Sequence, residues 1–326
     1  MNITTPRVGL GAVLCLCTLL AACGGGGGGS TSTSSSTSPA SAGNTGTLSS
    51  PQYAPGSPEL AAFTELNSLR QECSFPALSE NTLLDQAAAN HLAYLQDNQA
   101  IGHTEIQGDP GYTGATLQQR AQAVGYPFGA VGEIIDADTT DVGGAQAVVA
   151  LATVPYHAAL AFAPFTDIGA AYGPVVMGPT TTYYTAEVTL GYQVQAASYG
   201  NAPLTFPCEG TTGLPTGATS ETPTPAINGQ AVAFPIGTPI VVEGNAGDTV
   251  LLASGQMTDP SGNVIALDLL DSSDDSNHEM PPWAAAGFPA RPLQPNTTYG
   301  VTLTGTINGT TFSRNFSFAT GSQGTV

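Results

Sequence analysis

The sequence predicts an α+β half followed by an all-β half. Three observations carry this reading. Apolar residues recur with helical spacing between residues 58 and 161, and period-two alternation takes over near residue 167. Beyond residue 226 the chain breaks into short alternating runs separated by turn signals. Helices first and strands later point to an α+β sandwich rather than a parallel doubly wound sheet.

Ser57-Pro58 is a cap followed by a first-turn proline, and Leu60, Phe63, Leu66 and Leu69 form an apolar stripe. In "SENTLLDQAAANHLAYLQDNQ", Leu84, Ala87, Ala88, His91, Leu92 and Leu95 follow the i, i+3, i+4, i+7, i+8, i+11 pattern of a core-facing helix. His91 therefore reads as a satisfied core histidine. Thr116 and Gln119 match a capping box, and Gly125 stops the helix they open. "AQAVVALATV" and "YHAALAF" read as helices on either side of Pro155, with Pro164 ending the second.

The strands follow. "DIGAAYG" and "TTYYTAEVTLGYQV" are the first, and in the second Tyr184, Ala186, Val188 and Leu190 alternate with Tyr183, Thr185, Glu187 and Thr189. "TGLPTGATSETPTP" reads as part of a linker over residues 201–225. Residues 226–321 then supply "PIVVE", "DTVLLASGQM", "NVIALDLLD", "TTYGVTLTGTI" and "TTFSRNFSFATG", with "PSGN" and Asn308-Gly309 as turn signals. That pattern predicts a β-sandwich.

The N-terminal segment carries a different message. One positive charge in "MNITTPR" precedes the apolar run "VGLGAVLCLCTLLAA", which is too short for a spanning helix and reads as a secretory signal over residues 1–22. Leu20-Ala21-Ala22-Cys23 resembles the lipobox of bacterial lipoproteins, which implies a lipid on Cys23. Residues 23–57 are Gly/Ser-rich and read as a tether holding the folded part off a membrane. Gly24 after the lipidated cysteine favours the outer membrane as destination.

Composition excludes several functions. The chain has 24 acidic residues, five arginines and no lysine, for a net charge of −19. Loss of the leader removes Arg7 and no acid. Such a chain repels nucleic acid and anionic lipid, and it lacks the lysine of a Walker loop or a Schiff base. Cys73 and Cys208 are the cysteines left besides Cys23 and the two in the leader. In an exported protein the pair reads as a disulfide, with two buried thiols as the alternative. Nothing cationic beside either in sequence favours thiol catalysis.

The order "LNSLRQE", "LLDQAAANHLAYLQ", "GHT", "RAQAVGY", "VGEI", "PYHAALAF", "DIGAAYG", "YYTAEVTLGY" resembles the bacterial branch of the CAP superfamily. That superfamily holds cysteine-rich secretory proteins, venom allergens and plant pathogenesis-related proteins. The likeness covers roughly residues 58–195 and implies a domain over residues 58–200, a three-layer α-β-α sandwich with a cleft. It also implies that His103 in "GHT", Glu133 in "VGEI" and His157 in "PYHAAL" converge there. Two imidazoles and a carboxylate suit Zn²⁺. Their spacings, 30 and 24 residues, match neither a zinc finger nor His-Glu-x-x-His.

This chain departs from the family pattern. Ile134 follows the glutamate in place of asparagine, Tyr156 precedes the histidine in place of glycine, and Leu151 stands where tryptophan is common. No acid lies between Asp141 and His157, where many members carry a second cleft acid. Glu105 and Glu187 are candidate fourth ligands. Two readings of the triad stay open: a metal site, or a hydrogen-bonded cluster that orders the cleft.

"DADTTD" (Asp136, Asp138, Asp141) and "DSSDDSN" (Asp271, Asp274, Asp275) lack the EF-hand pattern and read as solvated loops rather than Ca²⁺ sites. "PLQPNTTYGVTL" resembles the Leu-x-Pro-x-Thr-x-Tyr stretch of bacterial immunoglobulin-like domains, which implies that Tyr299 bonds a nearby upstream backbone group. Trp283 reads as core or edge packing rather than a ligand-stacking residue. Taken together the sequence points to a lipid-anchored envelope protein whose cleft binds a metal and a sterol, fatty acid or other hydrophobic ligand. The alternatives are a metal-assisted hydrolase of envelope material and an adhesion or scaffold protein with an inherited cleft.

Overall fold

Helix α1 (Pro58–Glu72) starts at its sequence signal, with Ser57 Oγ accepting from the Leu60 N–H at 3.1 Å. The computed structural model describes residues 46–326, which belong to a unit running from Gly43 to Val326. The leader, Cys23 and the tether up to residue 45 lie outside the described residues. Helix α2 (Thr82–Asn98) opens at Asn81, whose Oδ1 accepts from Leu83 and Leu84, and buries the stripe read from its periodicity. Helix α3 (Leu117–Ala123) begins with the Thr116 and Gln119 side chains bonding the Gln119 and Ala115 N–H groups, and Gly125 follows it at φ +80°. Helices α4 (Gly143–Leu151) and α5 (Pro155–Ala161) complete the helical set. A Cβ on Gly144 would sit 1.9 Å from the Pro58 carbonyl oxygen, so glycine there lets α4 lie against the start of α1.

The first sheet has the order β1-β3-β4-β2, from β1 (Ser79–Glu80), β2 (Ala130–Asp138), β3 (Asp167–Met177) and β4 (Thr181–Tyr192). β1 runs parallel to β3, and the other pairs are antiparallel. Residues Thr185 to Gly191 of β4 are buried without a break, which requires cover on both faces. α2 and α3 pack on one face and α1 and α4 on the other, giving α-β-α layers. Asp136 and Asp138, expected in a solvated loop, instead end β2, with Asp136 partly buried. Three acids in "AVGEIIDAD" hide the strand from a periodicity count, while pairing with β4 along its whole length forms it.

The second half is all-β and antiparallel. Its sheet has the order β15-β14-β11-β12-β13-β10-β5. The strands are β5 (Leu204–Phe206), β10 (Ile240–Glu243), β11 (Val250–Thr258), β12 (Val264–Asp271), β13 (Ala284–Pro289), β14 (Thr298–Ile307) and β15 (Thr310–Ala319). β12 pairs with β11 over residues 264–266 and with β13 over residues 267–271, so one strand joins two parts of the sheet. Small pairs, β6 (Gly217–Ala218) with β9 (Ile236–Gly237) and β7 (Ala226–Ile227) with β8 (Gln230–Ala231), lie between the halves in sequence. The β14–β15 hairpin turns at Asn308-Gly309, with φ +52° and +77°. Tyr299 Oη accepts from the Gln294 N–H at 2.8 Å, the upstream backbone bond that its motif implied. Trp283 packs against the core.

Residues at both ends of the first half do more than tether. Tyr53 Oη donates to Asp85 at 2.6 Å, and Thr47 bridges to Asn81, so the stretch from residue 46 docks beside α2. Residues 201–225, read as a linker, supply β5 and the buried Thr216 and Glu221. Their Pro/Thr/Gly composition signals irregular backbone, and it says nothing about burial. The two halves share one apolar core, in which Phe162 of α5 stacks on Phe206 of β5 at 4.0 Å. Fully burying each ring contributes about 1.5–3 kcal/mol. Cys73 and Cys208 form a disulfide across the same boundary, with Cα atoms 5.4 Å apart. Among the described residues no single helix is long and apolar enough to cross a membrane.

Candidate functional site

β2 is an edge strand, so side chains beside it can open to solvent. His103 comes from the loop after α2, Glu133 from the middle of β2 and His157 from the first turn of α5. These residues line one cleft with Tyr156, Leu160 and Thr222. His103 Nδ1 meets Glu133 Oε2 at 2.9 Å, and the two imidazole rings lie 5.9 Å apart, tilted by 34°. His157 does not bond Glu133. Its Nδ1 lies 2.8 Å from Oε1 of Glu221, a residue from the supposed linker.

Behind Glu133 lies a buried ionic network. Arg120 of α3 donates to Glu133 Oε1 and to the His103 carbonyl, the latter at 2.9 Å. Its Nε stands 3.9 Å from Glu105. Glu105 also meets His91 Nδ1 at 3.0 Å and accepts from the Thr113 and Gly114 N–H groups. His91 Nε2 meets the Gly102 carbonyl at 2.9 Å, so this histidine is a satisfied core residue, as its helical position predicted. The network locks the loop that carries His103 to both α2 and α3.

The charges in the network are set by neighbours. Burial pushes the Glu133 carboxyl up, but the His103 imidazole, the neighbouring Glu187 side chain and the Arg120 charge outweigh it and hold the group well below the usual range. Burial, and then the Glu133 charge, push the carboxyl of the fully buried Glu187 well above it. Glu105 falls below its ordinary value because, against the cost of burial, the Thr113, His91 and Gly114 bonds favour its ionised form.

His91, Glu133 and Glu187 place ligand-type atoms within 4.8 Å of one another. In this structure both nitrogens of His91 are engaged by protein partners, and the Arg120 guanidinium pairs with Glu133. Glu105 and Glu187, the candidates for a fourth ligand, do not line the cleft.

The cleft continues into a cavity of about 390 Å³. Ile101, Ile135, Leu151 and Val154 give it apolar walls, and Asp136, Asp138 and Glu221 give it acidic ones. Glu279 adds a further acid at the His103 end. Neither lining includes an arginine. Burial, and then the Asp138 charge, push the Asp136 carboxyl up to about 7. The second acidic stretch is not a solvated loop either. Asp275 is buried, accepts from the Glu279 and Met280 N–H groups, and takes the hydroxyl of Tyr156. Tyr156, one of the departures from the family pattern, thus ties α5 to the β half.

Sequence reasoning missed Arg120, Glu221 and Glu279. Arg120 carried a faint signal, as an arginine in a chain with five cationic residues. Glu221 and Glu279 carried none.

No family model matches the chain. No curated protein matches it. Among solved structures, an outer surface protein of Borrelia burgdorferi is similar at TM-score 0.35 and 19% identity, over 42% of this chain and 92% of that one. An extracellular protein containing an SCP domain from Bacillus anthracis is similar at TM-score 0.34 and 20% identity, over 41% of this chain and 40% of that one. The functional reading therefore rests on the side chains.

Proposed function

We propose that this is an exported CAP-like binding protein whose cleft holds a divalent metal ion, Zn²⁺ by donor chemistry, through His103 and His157. One observation carries the reading. The two imidazoles face one cleft, each has its Nδ1 against a buried carboxylate, and neither Nε2 has a hydrogen-bond partner among the described residues. A carboxylate on one ring nitrogen is the usual support for a histidine that ligates through the other. Glu133 lines the cleft, but its oxygens already accept from His103 and Arg120, so it serves the site first by orienting His103. When bound, the ion would supply Lewis acidity with positions open to water or ligand.

The cavity beside the histidines suits an uncharged hydrophobic ligand of the sterol class better than a fatty acid. Its acidic lining repels a carboxylate, and no arginine in the lining offsets it. The lipobox-like Leu20-Ala21-Ala22-Cys23 supports anchoring by lipid, and Gly24 supports the outer membrane.

Calorimetric titration of Zn²⁺ into the unlipidated chain (Cys23→Ser) tests the reading beside a His103→Ala/His157→Ala double variant of equal circular dichroism. Saturable binding near one ion per chain, lost in the double variant, is the expected result. Equal binding by both proteins, or none by either, would reduce the pair to cleft structure.

A further inference from the structure

We infer that Glu221, which lies outside the CAP-like half, is the positioning residue for His157, so that the cleft site is completed by the segment leading into the β half. The observation is the convergence of three donors on one carboxylate oxygen. Glu221 Oε1 meets the backbone N–H of Tyr156 at 2.9 Å, that of His157 at 2.9 Å, and His157 Nδ1 at 2.8 Å. The Glu221 side chain is fully buried. Val154, at the head of α5, makes no side-chain cap bond, so this remote carboxylate takes over the local capping function.

One group therefore sets both the backbone and the ring of His157. The bonds to the two N–H groups fix the start of α5, and the bond to Nδ1 fixes the rotation of the ring and places its proton on Nδ1. Nε2 is left bare toward the cleft. The arrangement answers a gap in the chain: no acid lies between Asp141 and His157, and Glu221 arrives from 64 residues further on. Two neighbouring contacts hold the segment in place. Tyr156 bonds Asp275 and Asn277 of the β half, and Asn277 Nδ2 donates to the Thr224 carbonyl at 2.7 Å.

The role rests on the metal-binding reading for only one of its two tests. Glu221→Ala removes the acceptor, and Glu221→Gln keeps its shape and one neutral acceptor oxygen. In the unlipidated full chain, two-bond ¹⁵N–¹H correlation spectra should show His157 protonated on Nδ1, with a downfield Nδ1–H resonance. Glu221→Ala should shift the ring toward the Nε2–H form, and Glu221→Gln should move the resonance upfield. Zn²⁺ affinity should fall about 10–100-fold in Glu221→Ala and less in Glu221→Gln. An unchanged Nδ1–H resonance in the folded variants would overturn the positioning role. So would wild-type affinity in both variants. Absence of Zn²⁺ binding by the parent chain, with the spectra as expected, would sink the metal reading and leave Glu221 as the residue that sets His157.

Discussion

Asp136→Asn should stabilise the protein in a strongly pH-dependent way. Asp136 closes β2, lines the cavity and neighbours Asp138, and burial followed by the Asp138 charge lifts its carboxyl from 3.8 to about 7. Between these values the folded chain keeps a proton that the unfolded chain has released. The folded state then binds more protons, so stability falls as pH rises through that window and levels off above about 7. At about 1.4 kcal/mol per tenfold change in proton affinity, the ceiling is roughly 4 kcal/mol. Asp136 is partly exposed and water relaxes around its charge, which reduces the effect to about 2 kcal/mol at pH 8. Asparagine has the same shape and never ionises, so at pH 3, where Asp136 is protonated in both the folded and the unfolded chain, the variant should match the parent within about 0.5 kcal/mol. Urea unfolding of both chains at the two pH values measures this directly. A difference that is the same at both, or a loss at pH 8, would refute the assignment of a desolvated carboxyl.

Two further outcomes follow from the fold. Cys73→Ser/Cys208→Ser, or reduction of the parent, should lower stability by up to about 5 kcal/mol, since the bridge closes a loop of 135 residues. Thermal melts with and without reductant give the value, and melts that coincide would show the link to be inert. Gly144→Ala should cost about 1–3 kcal/mol, because its methyl group meets the Pro58 backbone and forces α4 away from α1. Denaturant titration of that variant would contradict the packing if its midpoint matched the parent's.

What the chain states locally, it states clearly. The Ser57 and Thr116 caps, the Gly125 stop, the Asn308-Gly309 hairpin and the Tyr299 corner are each carried by residues a few positions apart. The stripe of α2 named its buried face, His91 included, because helical periodicity repeats over several turns. His103, Glu133 and His157 were legible through likeness to a family, and the structure gathers them around one cleft. Their true partners were not legible. Arg120 reaches Glu133 from 13 residues away, and Glu221 reaches His157 from 64, across a Pro/Thr-rich stretch that looks like a linker. Composition reports which backbone a segment favours, while burial and pairing depend on what the rest of the chain brings beside it. β2 became a strand, Asp136 a half-buried acid and Glu221 a brace for a cleft histidine only once the sheet, α5 and the β half closed around them.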